Sequence, residues 1–415
     1  MKASSSNRTI EQLYATLTKA ALNEEKDFWG QYDKAQLDCL LHPEKYAPVL
    51  RQADCSCKTQ TPACQKACLY DAIRRDETGQ IYIDPTACTG CQACIDVCHS
   101  HALLASRDTP AMLLAIKQHK GPVYAMAAPA FLGQFGEATP GQIRSAFKQL
   151  GFAGLVEVAA FADILTMKEA LEFDREIHTN EDFMLTSCCC PLWISLIRKV
   201  YTTLIPHVPG TVSPMVACGR VIKQLHKDAL TVFIGPCLAK KAEAREKDVA
   251  DAVDFVLTFK EVQDLFDFAK IHPETLPDEQ KEHSSAAGRM YAYTGGVSRA
   301  VQSSVKKLRP ESEIQVSAVQ ADGIPGCKKL LEQLLSGEIK ANFLEGMGCV
   351  GGCVGGPRAI LDKEQGEKQV EAYAEAAPYK TPMENPYVVE LLKRMGFDTV
   401  EAFLQQSDLF DRHFS

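Results

Sequence analysis

The 415-residue sequence predicts an α/β architecture, with sheets flanked by helices, preceded by a small cysteine-dense module. Three observations lead there. From about Pro122 onward, short apolar runs alternate with stretches of helical periodicity, the pattern of helices packed on sheets. Between Asp54 and about Leu104 the chain is rich in cysteine and poor in long periodic runs, as expected where metal replaces a hydrophobic core. Finally, 46% hydrophobic against 24% charged residues is the balance of a chain with sizeable cores, long enough for two or three domains of roughly 100–200 residues.

In chain order, residues 9–24 read as an amphipathic helix. Thr9 and Gln12 stand at capping-box spacing, and Ile10, Leu13, Tyr14, Leu17 and Ala21 form one stripe. The strand candidates are Val123–Ala128, Leu155–Val158, Thr231–Ile234, Ile314–Val319 and Asn342–Leu344. Ligands of open α/β sheets sit beyond the carboxyl ends of strands. Ala128-Pro129, Gly235-Pro236-Cys237 and Met347-Gly348-Cys349 each follow such a run and are expected to share a crevice. After about Leu361 the chain is highly charged. Asn385-Pro386, an apolar-periodic stretch and Gly396 then predict a further helix with its cap and stop. The expected division is an N-terminal helical segment at 1–50, the cysteine module at 51–108, the main domain at 109–365 and a C-terminal helical extension at 366–415.

Charge and termini narrow the class. With 45 basic and 53 acidic residues the net charge is −8, which argues against a nucleic-acid partner. The N-terminal stretch lacks the apolar core of a signal peptide, and no run approaches the ~18 apolar residues of a membrane span, so a cytoplasmic location is expected. In that reducing compartment the 17 cysteines are expected to bind metal rather than to form disulfides.

Residues 88–98, CTGCQACIDVC, have the C-x2-C-x2-C-x3-C spacing of bacterial ferredoxins, in which three thiolates hold one cubane and the fourth crosses to another. A zinc ribbon would instead need two short cysteine pairs closing one tetrahedral site. Upstream, CSCKTQTPACQKAC adds Cys55, Cys57, Cys64 and Cys68. The crossover rule then assigns Cys55, Cys57, Cys64 and Cys98 to one [4Fe-4S] cluster, and Cys68, Cys88, Cys91 and Cys94 to the other. Two neighbouring cubanes suit the relay of single electrons, with a purely structural role as the alternative.

Three further motifs, TSCCCPLW (186–193), PCLAKKAE (236–243) and FLEGMGCVGGCVGG (343–356), resemble the signatures of the iron-only, or [FeFe], hydrogenase family. The resemblance implies a hydrogenase-type catalytic domain behind a ferredoxin-like 2[4Fe-4S] module. It also implies an H-cluster, a [4Fe-4S] cubane bridged by cysteine to a diiron unit with CO, CN and azadithiolate ligands. Matched residue by residue, Cys190, Cys237, Cys349 and Cys353 are the cubane ligands, with Cys353 the bridge. Soft thiolates suit iron, and the glycines around Cys349 and Cys353 admit close backbone approach.

The same resemblance makes Cys189 the proton-relay thiol. Aligning the triple cysteine on Pro191-x-Trp193 leaves Cys188 as the extra thiol, and sliding it the other way exchanges the two. Lys240 matches the lysine that binds a cyanide ligand. Ala128, Pro129, Ala130 and Met347 match residues lining the diiron unit. Glu169 and Glu172, at i,i+3 spacing on one helical face, match the relay glutamates. Cys39, Cys218 and Cys327 occur singly and read as packing residues.

Two departures stand out. The serine expected in the proton relay falls on Pro209, which has no donor, and a lining methionine is replaced by Gly235, which predicts extra room beside the diiron unit. These departures resemble the short, sensory branch of the family and predict slow turnover. The reading is therefore an [FeFe]-hydrogenase catalysing H2 oxidation and proton reduction, its electrons relayed through the two N-terminal clusters. The alternatives are an H2 sensor that signals through a redox partner, and an iron–sulfur electron carrier or scaffold without the diiron unit. Expected partners are H2 and protons, a redox protein such as a ferredoxin, and maturation proteins, with homo-oligomer formation left open.

Overall fold

The computed structural model describes residues 9–23, 32–52, 57, 61–179, 181–281, 283–405, 408–412 and 414. Cys55, expected as a cluster ligand, lies outside the described residues. The N-terminal part contains β1 (Val49–Arg51), β2 (Ile73–Arg75), β3 (Ile81–Ile83) and β4 (Leu103–Ala105). The remainder contains β5 (Val123–Ala127), β6 (Gly154–Glu157), β7 (Met184–Leu185), β8 (Leu230–Gly235), β9 (Phe255–Thr258), β10 (Ala318–Asp322) and β11 (Phe343–Met347).

Two parallel sheets organise the α/β part. One has the order β6-β5-β8-β9, with Tyr124 opposite both Gly154 and Thr231. The other has the order β10-β11-β7, with Phe343 opposite both Ala318 and Met184. Parallel strands covered on both faces read as near-continuous apolar runs. Accordingly β5, VYAMA, is buried at every position but Tyr124.

The strand expected over Ile314–Val319 begins only at Ala318. Side chains take the backbone groups just before it. Asn342 Oδ1 accepts from Ser317 N at 2.7 Å, Asn342 Nδ2 donates to Gln315 O at 2.9 Å, and Gln302 Nε2 donates to Val316 O at 3.1 Å. β9 was not expected, because its apolar residues run straight into the next helix, Phe259–Ala269. The boundary is a capping box in which Thr258 and Glu261 exchange bonds.

The N-terminal helix, Ile10–Asn23, has the expected reciprocal cap, Thr9 N to Gln12 Oε1 at 3.1 Å and Gln12 N to Thr9 Oγ1 at 3.3 Å. Its stripe faces the helices that follow the cysteine module. Tyr14 OH donates to Thr109 Oγ1 at 3.3 Å, and Arg107 pairs with Glu11 and Asp264. β1 pairs antiparallel with β4, Val49 opposite Ala105, so the first 50 residues and the cysteine module share a sheet. Near the other end, the helix Pro386–Arg394 is capped by Asn385 and followed by Gly396 at φ +86°. Among the described residues no helix is long and apolar enough to cross a membrane.

Candidate metal centre

The three motifs sit where parallel strands end. Residues 186–190 follow β7, Pro236 and Cys237 follow β8, and Gly348 to Cys353 follow β11. Glycine lets these loops interlock. A Cβ on Gly346 would lie 2.1 Å from the Trp193 ring, one on Gly348 2.4 Å from Leu192 Cβ, and one on Gly356 2.8 Å from Pro236 Cβ. The first and second motifs are thereby both held against the third. Trp193 is locked in turn, because its Nε1 donates to Thr186 O at 2.8 Å.

Cys190, Cys237, Cys349 and Cys353 are all free thiols, and they bear on one another. Burial, then Cys237 and Cys190, pushes the Cys353 thiol up to about 12. Burial, then Cys190, pushes Cys237 up to about 11, and Cys349 is raised by burial followed by the other three ligands. Backbone donors point at sulfur. Gly348 N donates to Cys190 Sγ at 3.2 Å, and Cys237 takes backbone bonds from Lys240 and Ala239. Buried soft donors, N–H groups aimed at sulfur and glycine-thinned walls fit an iron–sulfur cubane. Among the described residues no three His, Cys, Asp or Glu side chains are grouped as a single bound ion requires.

In the N-terminal module the thiols fall into two hollows. Cys57, Cys64 and Cys98 line one, while Cys68, Cys88, Cys91 and Cys94 line the other with Val49, Ile73 and Ile83. The second hollow abuts the α/β site. Gly90, at φ +72°, would place a Cβ 2.9 Å from Ala239 Cα, two residues past Cys237, and Cys91 is close enough to raise the Cys349 thiol. Tyr70 OH donates to Leu192 O at 3.4 Å across the same seam.

The ionisable groups lie beside the thiols. Glu169 and Glu172 are on the helix Ala159–Glu176 and both are buried. Glu169 accepts from Thr186 Oγ1 and, at 3.3 Å, from Cys188 Sγ. Burial is the main cause that pushes its carboxyl up to about 7. Glu172 is also raised, chiefly by burial and against the pull of Lys168, which it meets at 2.9 Å. The carboxylate thus reaches Cys188, the thiol that the sequence left without a role. Cys189 is raised by burial and then by Cys353 and Cys190, which places it on the ligand side. Burial disfavours the Lys240 ammonium, yet Glu243 at 2.6 Å holds it charged, with Cys237 and Cys189 adding to the effect.

One expectation about the surroundings is corrected. A Cβ at Gly235 would meet the Phe233 ring at 2.8 Å and Ala128 Cβ at 3.2 Å, so the expected room is filled by the residue two positions back on the same strand face. Near Pro209, Thr211 Oγ1 donates to Glu172 Oε2 at 3.4 Å and Thr186 Oγ1 donates to Glu169, so each of these hydroxyls serves one glutamate. Ala128 and Ala130 are buried after β5, with Pro129 half-buried between them. Met347 is buried in the apolar cluster against which Cys189 and Cys190 pack. Cys327 does more than pack, because its Sγ donates to Met347 O at 3.3 Å.

Residues 121–357 match the family model of the iron-only hydrogenase large subunit, C-terminal domain. The chain belongs to the iron-only hydrogenase family. A 4Fe-4S binding domain matches residues 81–103 as well. This hydrogenase-family chain is 26% identical over 404 residues to the NADP-reducing hydrogenase subunit HndD of Solidesulfovibrio fructosivorans, covering 81% of this chain and 69% of that protein. It is 29% identical over 262 residues to iron hydrogenase 1 of Clostridium pasteurianum, covering 54% of this chain but only 46% of that protein. A probable cytosolic Fe-S cluster assembly factor of Aedes aegypti is 24% identical, over 64% of this chain and 66% of its own length. In fold, the chain is similar to an [FeFe]-hydrogenase from Chlamydomonas reinhardtii with a TM-score of 0.58 at 21% identity, covering 71% of this chain and 94% of that one.

Proposed function

We propose that this chain interconverts H2 with protons and electrons at an H-cluster. One observation carries the reading beyond iron–sulfur binding. A buried carboxyl group, Glu169, contacts a buried thiol, Cys188, beside the ligand cysteines. A cubane that only passes electrons has no use for a buried proton carrier, whereas chemistry that consumes protons needs one poised near neutrality.

Cys190, Cys237, Cys349 and Cys353 would hold the cubane, with Cys353 shared with the diiron unit. Ala128, Pro129, Ala130, Gly235 and Met347 would form the wall, its space set by Phe233. Lys240, kept charged by Glu243, would meet an anionic ligand. When bound, the diiron unit supplies the centre where the H–H bond is made or broken. Glu169 holds a proton at its carboxyl and exchanges it with Cys188 Sγ, and Cys189 stands next in line toward the ligands. Electrons would pass through the Cys68/Cys88/Cys91/Cys94 cluster, whose Cys91 adjoins Cys349, to a second cluster on Cys55, Cys57, Cys64 and Cys98 and on to a redox protein such as a ferredoxin. Maturation proteins would build the diiron unit.

Similarity to a cluster assembly factor supports a second reading, an iron–sulfur scaffold without the diiron unit. An infrared spectrum of anaerobically purified protein supplied with that unit separates the two. Protein-bound cyanide and carbonyl bands that shift under H2 are expected, and their absence makes this chain a scaffold or carrier. Phe233 over Gly235 removes one motive for a slow sensor, whereas Pro209 still lacks a donor, so slow turnover is expected and the rate of H2 evolution checks it.

A further inference from the structure

The helix Pro191–Lys199 begins immediately after the ligand Cys190, its N-cap residue, and both of its ends touch the cysteine module. Near its start Leu192 O accepts from Tyr70 OH at 3.4 Å. At its end Lys199 Nζ donates to Ala87 O at 3.1 Å, the carbonyl just before Cys88. The same ammonium lies 5.4 Å from the centre of the Tyr70 ring, and Tyr70 lines the hollow of Cys68, Cys88, Cys91 and Cys94. One element thus carries a ligand of the α/β site at one end and a cation at the wall of the module's inner cluster at the other.

The two basic residues at this helix end differ in what they meet. Arg198 pairs with Glu246 at 2.8 Å, whereas Lys199 turns to the Ala87 carbonyl. Burial lowers the Lys199 ammonium, while Glu246 and then Cys88 and Cys68 favour its charged form, so it stands within electrostatic reach of two inner-cluster thiols. A second group points the same way. Thr89, between Cys88 and Gly90, is buried and lines the same hollow. Its hydroxyl makes no well-formed hydrogen bond among the described residues, yet it opposes the rise that burial causes in the Cys91 thiol. A buried hydroxyl without an acceptor is costly, and the sulfur of a bound cluster supplies one. Nearby positive charge and hydrogen bonds to sulfur both favour a cluster that carries one more electron.

We propose that Lys199 tunes the inner [4Fe-4S] cluster, holding its reduction potential above the value the module alone would set, with the Thr89 hydroxyl donating to the same cluster. The α/β part thereby draws electrons toward the cluster whose Cys91 adjoins Cys349. Reduction adds one electron, [4Fe-4S]2+ becoming [4Fe-4S]+, and no proton moves and no bond changes. The electron comes from the redox protein or, in the opposite direction of turnover, from H2. The inference rests on the inner cluster of the proposed electron path and not on H2 chemistry at the diiron unit.

The test is a redox titration of the full, cluster-bearing chain followed by electron paramagnetic resonance, the inner cluster's signal being the one lost in Cys94→Ala. At low salt Lys199→Gln, which keeps a donor for Ala87 O, is expected to make reduction about threefold less favourable. Lys199→Glu is expected to do so about tenfold, ~59 mV for one electron, and Lys199→Arg to leave the potential in place. Lys199 is exposed, so high salt should shrink its shifts by screening. Thr89→Val is expected to lower the potential equally at low and high salt. An unchanged potential in Lys199→Glu overturns the inference. So does a shift that high salt leaves intact or that Lys199→Arg shares, because the lost contact rather than the charge would then be its cause. The expected shifts in a chain without iron-bound cyanide or carbonyl bands leave the inference standing and remove the hydrogenase reading. Those bands with an unmoved inner-cluster potential do the reverse.

Discussion

In the N-terminal module, all seven described ligand candidates come from residues 57–98 and sit around hollows walled by a few side chains such as Val49, Ile73 and Ile83. In the α/β site, four thiols come from three distant loops, and what joins them is glycine, Gly346 and Gly348 against Trp193 and Leu192, Gly356 against Pro236. The first arrangement depends on local spacing and on the metal itself. The second is preformed by packing, so it is sensitive to single methyl groups and can place a proton carrier beside its thiols.

The sharpest contrast is expected from the ligands. Cys190→Ala should abolish every protein-bound cyanide and carbonyl band, while Cys94→Ala should lose iron from the module and leave those bands in place. Loss of the bands in both would mean that the two regions assemble as one. Next, Cys188→Ala is expected to lower H2 turnover about 100-fold with the bands retained. If Cys189→Ala has that effect and Cys188→Ala does not, the Glu169–Cys188 contact lies off the working path.

Stability should divide along the same line. Gly346→Ala drives a methyl into the Trp193 ring and should cost about 3 kcal/mol in urea unfolding. Gly79→Ala in the module meets nothing within 4 Å and bears only the strain of φ +80°, about 1 kcal/mol. Between them in size comes Glu169→Gln. The folded carboxyl is raised to about 7 from 4.5, so the native state keeps a proton that the unfolded chain has released. Wild-type stability should therefore fall as pH rises through that window. The glutamine variant should lack this loss, on the order of 2 kcal/mol between about pH 5 and about pH 8. Equal pH slopes in urea unfolding would show that Glu169 is not buried as described.

Much of this was open to reading without coordinates. The β5 and β8 runs were legible because parallel strands buried on both faces leave uninterrupted apolar stretches. The Thr9/Gln12 and Asn385/Gly396 signals worked because caps are local chemistry. The Ile314–Val319 expectation failed because Asn342, far along the chain, takes the backbone bonds that a strand partner would have taken. The surroundings of Pro209 were hidden for a related reason. Spacing along the chain located the missing serine, whereas the hydroxyls of Thr186 and Thr211 meet Glu169 and Glu172 through space.

The sequence by itself determined the cysteine groupings, the three motifs and, for the second and third, their placement after strands, because ligand spacing and strand periodicity are set over a few residues; the short strand Met184–Leu185 before the first motif was not expected. Tertiary structure alone decided that Phe233 fills the space at Gly235, that Cys188 rather than Cys189 meets Glu169, and that Asp411 and Glu172 meet the same lysine, Lys168. Each of those is a contact between side chains whose meeting depends on how whole elements pack, and no local pattern of residues encodes that distance.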